Sequence, residues 1–393
     1  MGQQFLEALW PVLVIARFLG IFPCKRNWND DGTWELRPIN WIIQWLLFNF
    51  SYSLITIPYL VFSVKNLQTE KSFSELVQCL SKKTGDGIVD ASAAFMILLC
   101  MSIKMMIVQW AIFKMKQGLC ELSASFEKTS SETSITRPFL IVSGIFVLPI
   151  TFSVWFSFDM IKVCFELNWM DVVPQSICQF FAYIFNFFPV MVTFIFTLEI
   201  ISCLIYKLNQ LTKAVEQCRL KMDVSVFNQA LDTIKGLEDA RRLLSNILFW
   251  VMTITSLEIL VMFYLVPANF INYAKNGQPI ALLIASSMLL FTIGFITLMW
   301  FFNIRAQRVT DMVRVMKENF QDMYIANYDL MVTYEGQKVT ALFMKERIIE
   351  KFNNFVGFDG KGYFILGKAF LKNFLAFCAT YFVILLQFKL SEE

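Results

Sequence analysis

Histidine is absent from this chain of 393 residues. Its absence removes a common general base of enzymes and the commonest protein ligand of metals. The nine cysteines are scattered without a C-x-x-C pair, so no zinc-binding framework is visible. The sequence also lacks an H-E-x-x-H motif and a phosphate-binding P-loop. These absences predict a protein that is not an enzyme and that holds no metal or cofactor.

Charged residues are also scarce, at 17% of the chain, whereas soluble domains carry about 25%. Hydrophobic residues make up 57%, and 42 residues are phenylalanine. A core in water cannot bury that much apolar surface, so much of it must face membrane lipid. The net charge of +3 is too small to indicate a nucleic-acid partner. The composition therefore predicts an all-α membrane protein that crosses the bilayer several times.

Seven apolar stretches are long enough to cross a bilayer, which needs about 20 residues per helix. They cover residues 39–64, 88–113, 139–161, 177–205, 247–270, 280–302 and 364–388. Pro58, Pro149, Pro189 and Gly294 interrupt four of them, and we interpret these residues as kinks.

The N-terminal 23 residues show apolar side chains at helical spacing. Glu7, Pro11 and Arg17 interrupt the apolar run, and its start lacks the basic residues of a secretory signal. We therefore predict an interfacial helix within a cytoplasmic N-terminal segment, residues 1–38.

The segments between the predicted spans differ strongly in their content of lysine and arginine. Taken alternately along the chain, one set of segments holds 24 of these residues and the other set holds 7. Because basic loops stay in the cytoplasm, this bias predicts a cytoplasmic N-terminus and an extracellular C-terminus. The four lysines of 65–87 are an exception on the outer side. Cys79, Cys164 and Cys178 fall near the outer loops, so the sequence allows one disulfide among these three residues. The inner segments are 1–38, 114–138, 206–246 and 303–362.

The two long inner segments, 206–246 and 303–362, repeat apolar residues every three or four positions, which predicts amphipathic helices that pack on each other. Their apolar faces are Leu208, Leu211, Val215, Phe227, Leu231, Ile234, Leu237, Val309, Met312, Val313, Met316, Phe320, Val339, Leu342, Phe343 and Ile349.

Charged residues inside the predicted spans are costly, by about 2.5–3.5 kcal/mol each at mid-helix. Lys104 and Glu258 are a candidate buried ion pair, and Glu199 lies near the inner end of its span. A purely structural pair is one interpretation. The other places Glu258 in a ligand cavity.

Aromatic residues are dense where the third predicted span ends and the fourth begins. A short outer connection joins the two spans, so these side chains can share one outer cavity or can simply face lipid. An aromatic pocket with a few polar groups is typical of a small-molecule site. The candidate ligand-binding residues are Trp155, Asp159, Gln179, Tyr183, Glu258 and Ser286.

The last predicted span, Gly362 to Phe388, contains an unusual pattern. From 373 to 388 it is apolar apart from Asn373, Thr380 and Gln387, and Lys368 and Lys372 precede it. Thr380-Tyr381, five apolar residues and Gln387-Phe388 spell TYhhhhhQF. The glycine-rich run from Gly357 to Gly362 predicts a hinge or turn before this helix.

The TYhhhhhQF spelling resembles the C-terminal motif of the insect gustatory receptor family. Arg17 to Pro23, RFLGIFP, resembles the apolar segment that precedes the first span in that family. The resemblance implies a ligand-gated, non-selective cation channel that is opened by a small-molecule tastant. It also implies a homo- or heterotetramer with other gustatory receptors, in lipid of the plasma membrane of chemosensory neurons.

The same resemblance implies how the chain is divided. Residues 39–302 would form a six-helix ligand-binding bundle, which includes the loop helices of 206–246. Residues 303–362 would form a cytoplasmic anchor between subunits, and 363–388 would line the pore.

The family motif also implies roles for single residues of the last helix. Gln387 and Phe388 would form the outer constriction, with Phe388 as a hydrophobic plug that dewets the pore. Ile384, Tyr381 and Thr380 would lie on the pore-facing or subunit-facing side. Sugar-sensing members tend to have an acidic residue directly after the Thr-Tyr pair, where this chain has Phe382. The ligand is therefore expected to be bitter-type or of unknown class.

Three alternatives remain open from the sequence. The chain could be a pore-less seven-helix receptor or scaffold that signals through cytoplasmic partners, although the D/E-R-Y and N-P-x-x-Y motifs of G-protein-coupled receptors are absent. It could be an odorant-receptor-like channel subunit, although the last helix of odorant receptors lacks the Q-F ending. A transporter would predict a repeat between the halves of the chain, which we do not find.

Overall fold

The protein is described here from a computed structural model. The structure describes residues 24–28, 34–40, 193–195, 197–217, 224–277, 279–326 and 346–391, with Val14, Arg17, Ile42, Ile43, Leu46, Leu47 and Phe50. These residues are predominantly helical, which confirms the predicted all-α membrane fold class. The number of spans and their orientation across the membrane stay predictions, as do the domain boundaries.

A small antiparallel hairpin lies within the predicted N-terminal segment. Strand β1 (Cys24–Trp28) pairs with β2 (Trp34–Pro38), and in the backbone register Trp28 pairs with Trp34. The sequence analysis did not predict these strands. Their signal is the N-D-D-G run from Asn29 to Gly32, because such residues favour tight turns between short strands.

Two long helices form the frame of the fold. Helix α1 (Thr193–Gln217) precedes them; α2 (Val224–Asn276) has 53 residues and α3 (Pro279–Ala326) has 48. At 1.5 Å per residue they measure about 80 and 70 Å. A bilayer core is only about 30 Å thick, so both must project well beyond it.

The turn between α2 and α3 is tight. Gly277 has φ +61°, and its N–H donates to the carbonyl oxygen of Tyr273 at 2.8 Å. A glycine in the left-handed region ends a helix at no steric cost. Pro279 then begins α3, where its missing N–H is no loss. The two helices therefore run antiparallel.

By length and composition, three helices of the described part of the chain could cross a membrane. They cover Thr193–Gln217, Ser225–Lys275 and Met288–Asp322. These ranges overlap the predicted fourth, fifth and sixth spans and extend past them into the segment from 206 to 246 and beyond 303. Each of the three helices therefore continues without a break from an apolar stretch into one of the segments predicted to lie on the inner side, and that side stays a prediction.

The charged halves of α2 and α3 lie at the same end of the hairpin, because the helices are antiparallel. Their apolar faces meet there in a common core with α1 and with α4, the helix described over residues 346–354. The ring of Phe320 on α3 lies 6.2 Å from Phe227 on α2 and 6.0 Å from Phe352 on α4. The predicted mutual packing of the amphipathic segments is therefore observed.

Nearly all the predicted apolar positions of these segments are buried or half-buried in this core. One small difference occurs in α4, where Ile348 is fully buried and the predicted Ile349 is half-buried. Val339, Leu342 and Phe343 lie outside the described residues.

Candidate pore helix and its attachment

Helix α5 (Lys368–Ser391) is preceded by a compact turn at residues 355–367. The N–H of Gly360 donates to the carbonyl of Phe364, and the N–H of Leu366 donates to that of Phe358, both at 2.8 Å. Lys361 and Gly362 have φ +52° and +80°, in the region that suits a turn. The sequence predicted a hinge or a turn at this position, and the structure contains a turn.

Helix α2 holds this turn through a charged contact. The Arg241 Nε donates to Oδ2 of Asp359 at 3.0 Å, and Nη2 donates to the same oxygen. Ser245 Oγ donates to the other carboxylate oxygen at 2.8 Å. Burial acts to raise the pKa of Asp359, but these hydrogen bonds and the Arg241 charge outweigh it. The pKa of Asp359 therefore lies below its ordinary value.

A second layer of contacts lies one turn further along the same face of α2. The backbone N–H of Lys361 donates to Ser245 Oγ at 3.0 Å. The Lys361 ammonium sits 5.2 Å from the ring centres of both Phe249 and Trp250. Arg241, Ser245 and Phe249 follow one another at intervals of four residues, so they lie on one side of α2 and contact the turn together.

Helix α3 holds the point where α5 begins. The buried Asn303 Oδ1 accepts a hydrogen bond from the Gly367 N–H at 2.8 Å. Its Nδ2 donates to the Met299 carbonyl within α3, which fixes the amide orientation. The Gly367 carbonyl accepts from Leu371, so Gly367 caps α5. A side chain at Gly367 would meet the end of the Gln307 side chain, which would have to move aside.

One face of α5 packs against α2 and α3. The ring of Phe382 on this face lies 6.2 Å from the ring of Phe263 on α2. Phe370 stacks on Phe364 of the preceding turn at 4.8 Å. Leu371 and Cys378 are buried. Since α5 has 24 residues, it is about 36 Å long, compared with about 30 Å for a bilayer core.

The opposite face of α5 is exposed and carries Thr380, Ile384 and Gln387 of the five predicted pore residues, while the exposed Tyr381 lies at its edge. Tyr381 and Ile384 are 38% and 44% exposed, and Thr380 and Gln387 are exposed as well. The Thr380 hydroxyl donates to the carbonyl of Ala376 at 3.0 Å. Phe388 belongs to α5, but its side chain lies outside the described part.

The predicted ligand site is only partly described. Glu258 is fully buried on α2, beside the buried Thr255, and Ser286 is half-buried on α3 with its hydroxyl donating to Leu282. Because the helices turn back at Gly277, these two residues lie at depths about 15 Å apart. Trp155, Asp159, Gln179, Tyr183 and Lys104 lie outside the described residues, so the predicted cavity and the Lys104–Glu258 pair stay predictions.

Two functional features were missed by sequence reasoning. Asn303 stands alone at the end of an apolar run, which was a usable signal of a buried polar contact. The pair of Arg241 and Asp359 had no sequence signal, because the partners lie 118 residues apart. Within the described residues, no group of three or more Cys, Asp or Glu is placed to hold a metal ion.

Comparisons with known proteins agree with this architecture. No family model matches the chain, and no curated protein matches it. Among solved structures, the insect olfactory receptor OR5 from Machilis hrabei aligns with a TM-score of 0.68 at 11% identity, covering 98% of this chain and 99% of that one. The structure of the same receptor in complex with eugenol aligns with a TM-score of 0.61 at 14% identity, with the same coverage. The chain thus has the fold of an insect olfactory receptor.

Proposed function

We propose that this chain is a subunit of a ligand-gated cation channel, opened by a small organic molecule that binds within the membrane bundle. The fold supports a membrane receptor, since the similar solved structures are receptors and not enzymes. One of them was solved with eugenol, a small organic ligand. The gustatory, non-sugar assignment depends on the TYhhhhhQF motif and on Phe382.

The observation that carries the proposal is the division of α5 into two faces. Leu371, Cys378 and Phe382 anchor one face inside the subunit. The other face presents Thr380, Ile384 and Gln387 outwards, with Tyr381 at its edge. A helix that combines an apolar run with exposed polar groups fits a position between subunits and around water, because lipid does not satisfy polar groups.

Tetramers are the assembly that the motif resemblance implies. In a homotetramer or in a heterotetramer with related receptors, four copies of α5 would enclose the ion path. Ligand binding would open it only if the ligand binds the open arrangement more tightly than the closed one. Phe388 would form the hydrophobic gate and Gln387 the polar ring beside it.

The direct test is whole-cell recording from cells that express this chain alone, during perfusion of a panel of small organic molecules. A pipette solution with GDPβS blocks G-protein signalling. We expect ligand-evoked cation currents that persist in its presence. Ligand responses that disappear under GDPβS, without channel openings in excised patches, would instead support the pore-less receptor.

Topology offers a second test of the proposal. An epitope appended after Glu393 is expected to bind antibody on intact cells, and one placed before Met1 only after permeabilisation. The reverse pattern would place the predicted constriction on the cytoplasmic side and contradict the gate assignment.

A further inference from the structure

The exposed face of α5 contains a regular seam. Asn373, Phe377, Thr380, Ile384 and Gln387 alternate between spacings of four and three residues. All five are exposed, Phe377 by 57% and Ile384 by 44%. A helix brings such positions onto one stripe, as in the seams of coiled coils. Polar and apolar residues alternate strictly along the stripe.

The amides of the seam lack hydrogen-bond partners within the described part of the chain. Among the described residues, no hydrogen bond joins the exposed side chains of Asn373 or Gln387 to another group. Thr380 donates to its own helix but keeps its acceptor lone pairs free to face outwards. A lipid-facing position would leave two amides unsatisfied in hydrocarbon, which is unfavourable.

We propose that the whole seam faces the ion path and that Asn373 and Thr380 form two further uncharged polar rings behind Gln387. This inference rests on the proposed pore and extends it to the inner end of α5. Successive polar rings lie seven residues apart, about 10.5 Å along the axis. A partly hydrated cation therefore meets the polar rings one at a time. Apolar rings formed by Phe377 and Ile384 lie between them.

The chemistry of the rings favours weak selectivity. An amide or hydroxyl oxygen replaces water oxygen in a cation's hydration shell, but it adds no net charge to attract one ion over another. Lys372 lies about 100° from Asn373 around the helix, so its charge flanks the seam and does not join it. Asn373 is the specificity-determining position at the inner entrance, because it is the first polar group of the seam.

The first test measures whether the seam faces water and does not require current. Asn373→Cys and Thr380→Cys, in membrane fragments that are open on both sides, are treated with a small, charged, water-soluble maleimide whose biotin tag is detected on a blot. We expect both to be labelled beyond the parent chain. Native Cys378, which is fully buried on the opposite face, is the internal control, and Glu238→Cys, in the charged half of α2, is the positive control.

Labelling of Glu238→Cys without labelling of either seam variant would overturn the inference. If the seam cysteines instead form disulfides between copies and resist the reagent, the seam is a dry subunit contact and the inference is also wrong. Neither result depends on channel activity, so the absence of ligand-evoked current remains a separate failure that concerns the proposed function.

The second test measures selectivity. Asn373→Asp places a carboxylate at the inner ring and is expected to raise the permeability of calcium relative to sodium several-fold, because divalent cations gain most from added negative charge. Asn373→Gln keeps the amide and should leave the ratio unchanged. Val383→Asp, exposed but outside the seam, is the matched control. An unchanged ratio in Asn373→Asp, or an equal change in Val383→Asp, would refute the role of Asn373.

Discussion

Arg241 on α2 donates two hydrogen bonds to one oxygen of Asp359, a residue 118 positions later that lies in the turn before α5. The pair ties the helix that bears Glu258 of the predicted ligand site to the segment that begins the proposed pore helix. The contact therefore joins α2 to the turn that leads into α5.

Removal of this pair should weaken the attachment of the turn. Asp359→Asn keeps the size of the side chain but leaves the Arg241 charge uncompensated beside it. We expect a loss of about 1–3 kcal/mol, the usual range for a hydrogen bond to a charged group. Thermal unfolding of the purified protein in detergent measures the change. The control is Lys351→Ala, which removes the more exposed pair of Lys351 and Glu238, and should cost under about 1 kcal/mol.

The same pair predicts a direction for pH dependence. Because the pKa of Asp359 is depressed in the folded protein, its contribution to stability is fully present above the ordinary carboxyl pKa of about 4. The contribution is lost as the pH falls through the depressed value. Acid should therefore destabilise the wild type more than Asp359→Asn, and equal acid sensitivity of the two proteins would contradict the assignment.

Asn303→Leu tests the attachment of α5 to α3. The substitution leaves the buried N–H of Gly367 without its acceptor, which should cost about 1–3 kcal/mol. Hydrogen exchange at the start of α5 should also become faster. Asn269→Leu is a matched control, because Asn269 is also buried and, among the described residues, bonds only to Leu265 of its own helix. Similar effects in both variants would show that the Asn303–Gly367 contact has no special role.

Gly367→Ala tests the close approach of the two helices. The added methyl group would meet only the end of the flexible Gln307 side chain, which can turn aside and lose its hydrogen bond to Asp311. We therefore expect a loss of about 0.5–1.5 kcal/mol, the usual net value of one hydrogen bond. In a Gln307→Ala background the same substitution should cost nothing further, since the obstacle is then removed. Gly236→Ala is the control: its new methyl group meets nothing within 4 Å, and helix propensity should stabilise the protein by about 0.5–1 kcal/mol. A further loss from Gly367→Ala in the Gln307→Ala background would place the strain elsewhere.

Phe388→Ala tests the gate. Loss of the bulky ring should permit water to enter the constriction, and we expect a resting cation current in the absence of ligand. Phe382→Ala is the comparison, because that ring packs within the subunit against Phe263 and should affect stability without producing a leak. A resting current equal to that of the wild type would count against Phe388 as the plug.

The sequence by itself determined the membrane class, the helical fold and the amphipathic faces of the inner segments. These properties follow from composition and from local periodicity, which sequence displays directly: Leu208, Phe227 and Val313 were all predicted to face a core and are buried. The residues that share the exposed face of α5 could also be grouped from the sequence, since helical geometry fixes which residues lie on one side.

Only the tertiary structure decided how α5 is held. The contacts of Arg241 with Asp359 and of Asn303 with Gly367 join segments 118 and 64 residues apart. Their partners are chosen by the packing of α2 and α3 and not by any local pattern, so no periodicity could reveal them. The hairpin of β1 and β2 depends likewise on pairing between strands, and five-residue strands carry too little pattern to be distinguished from a helix end.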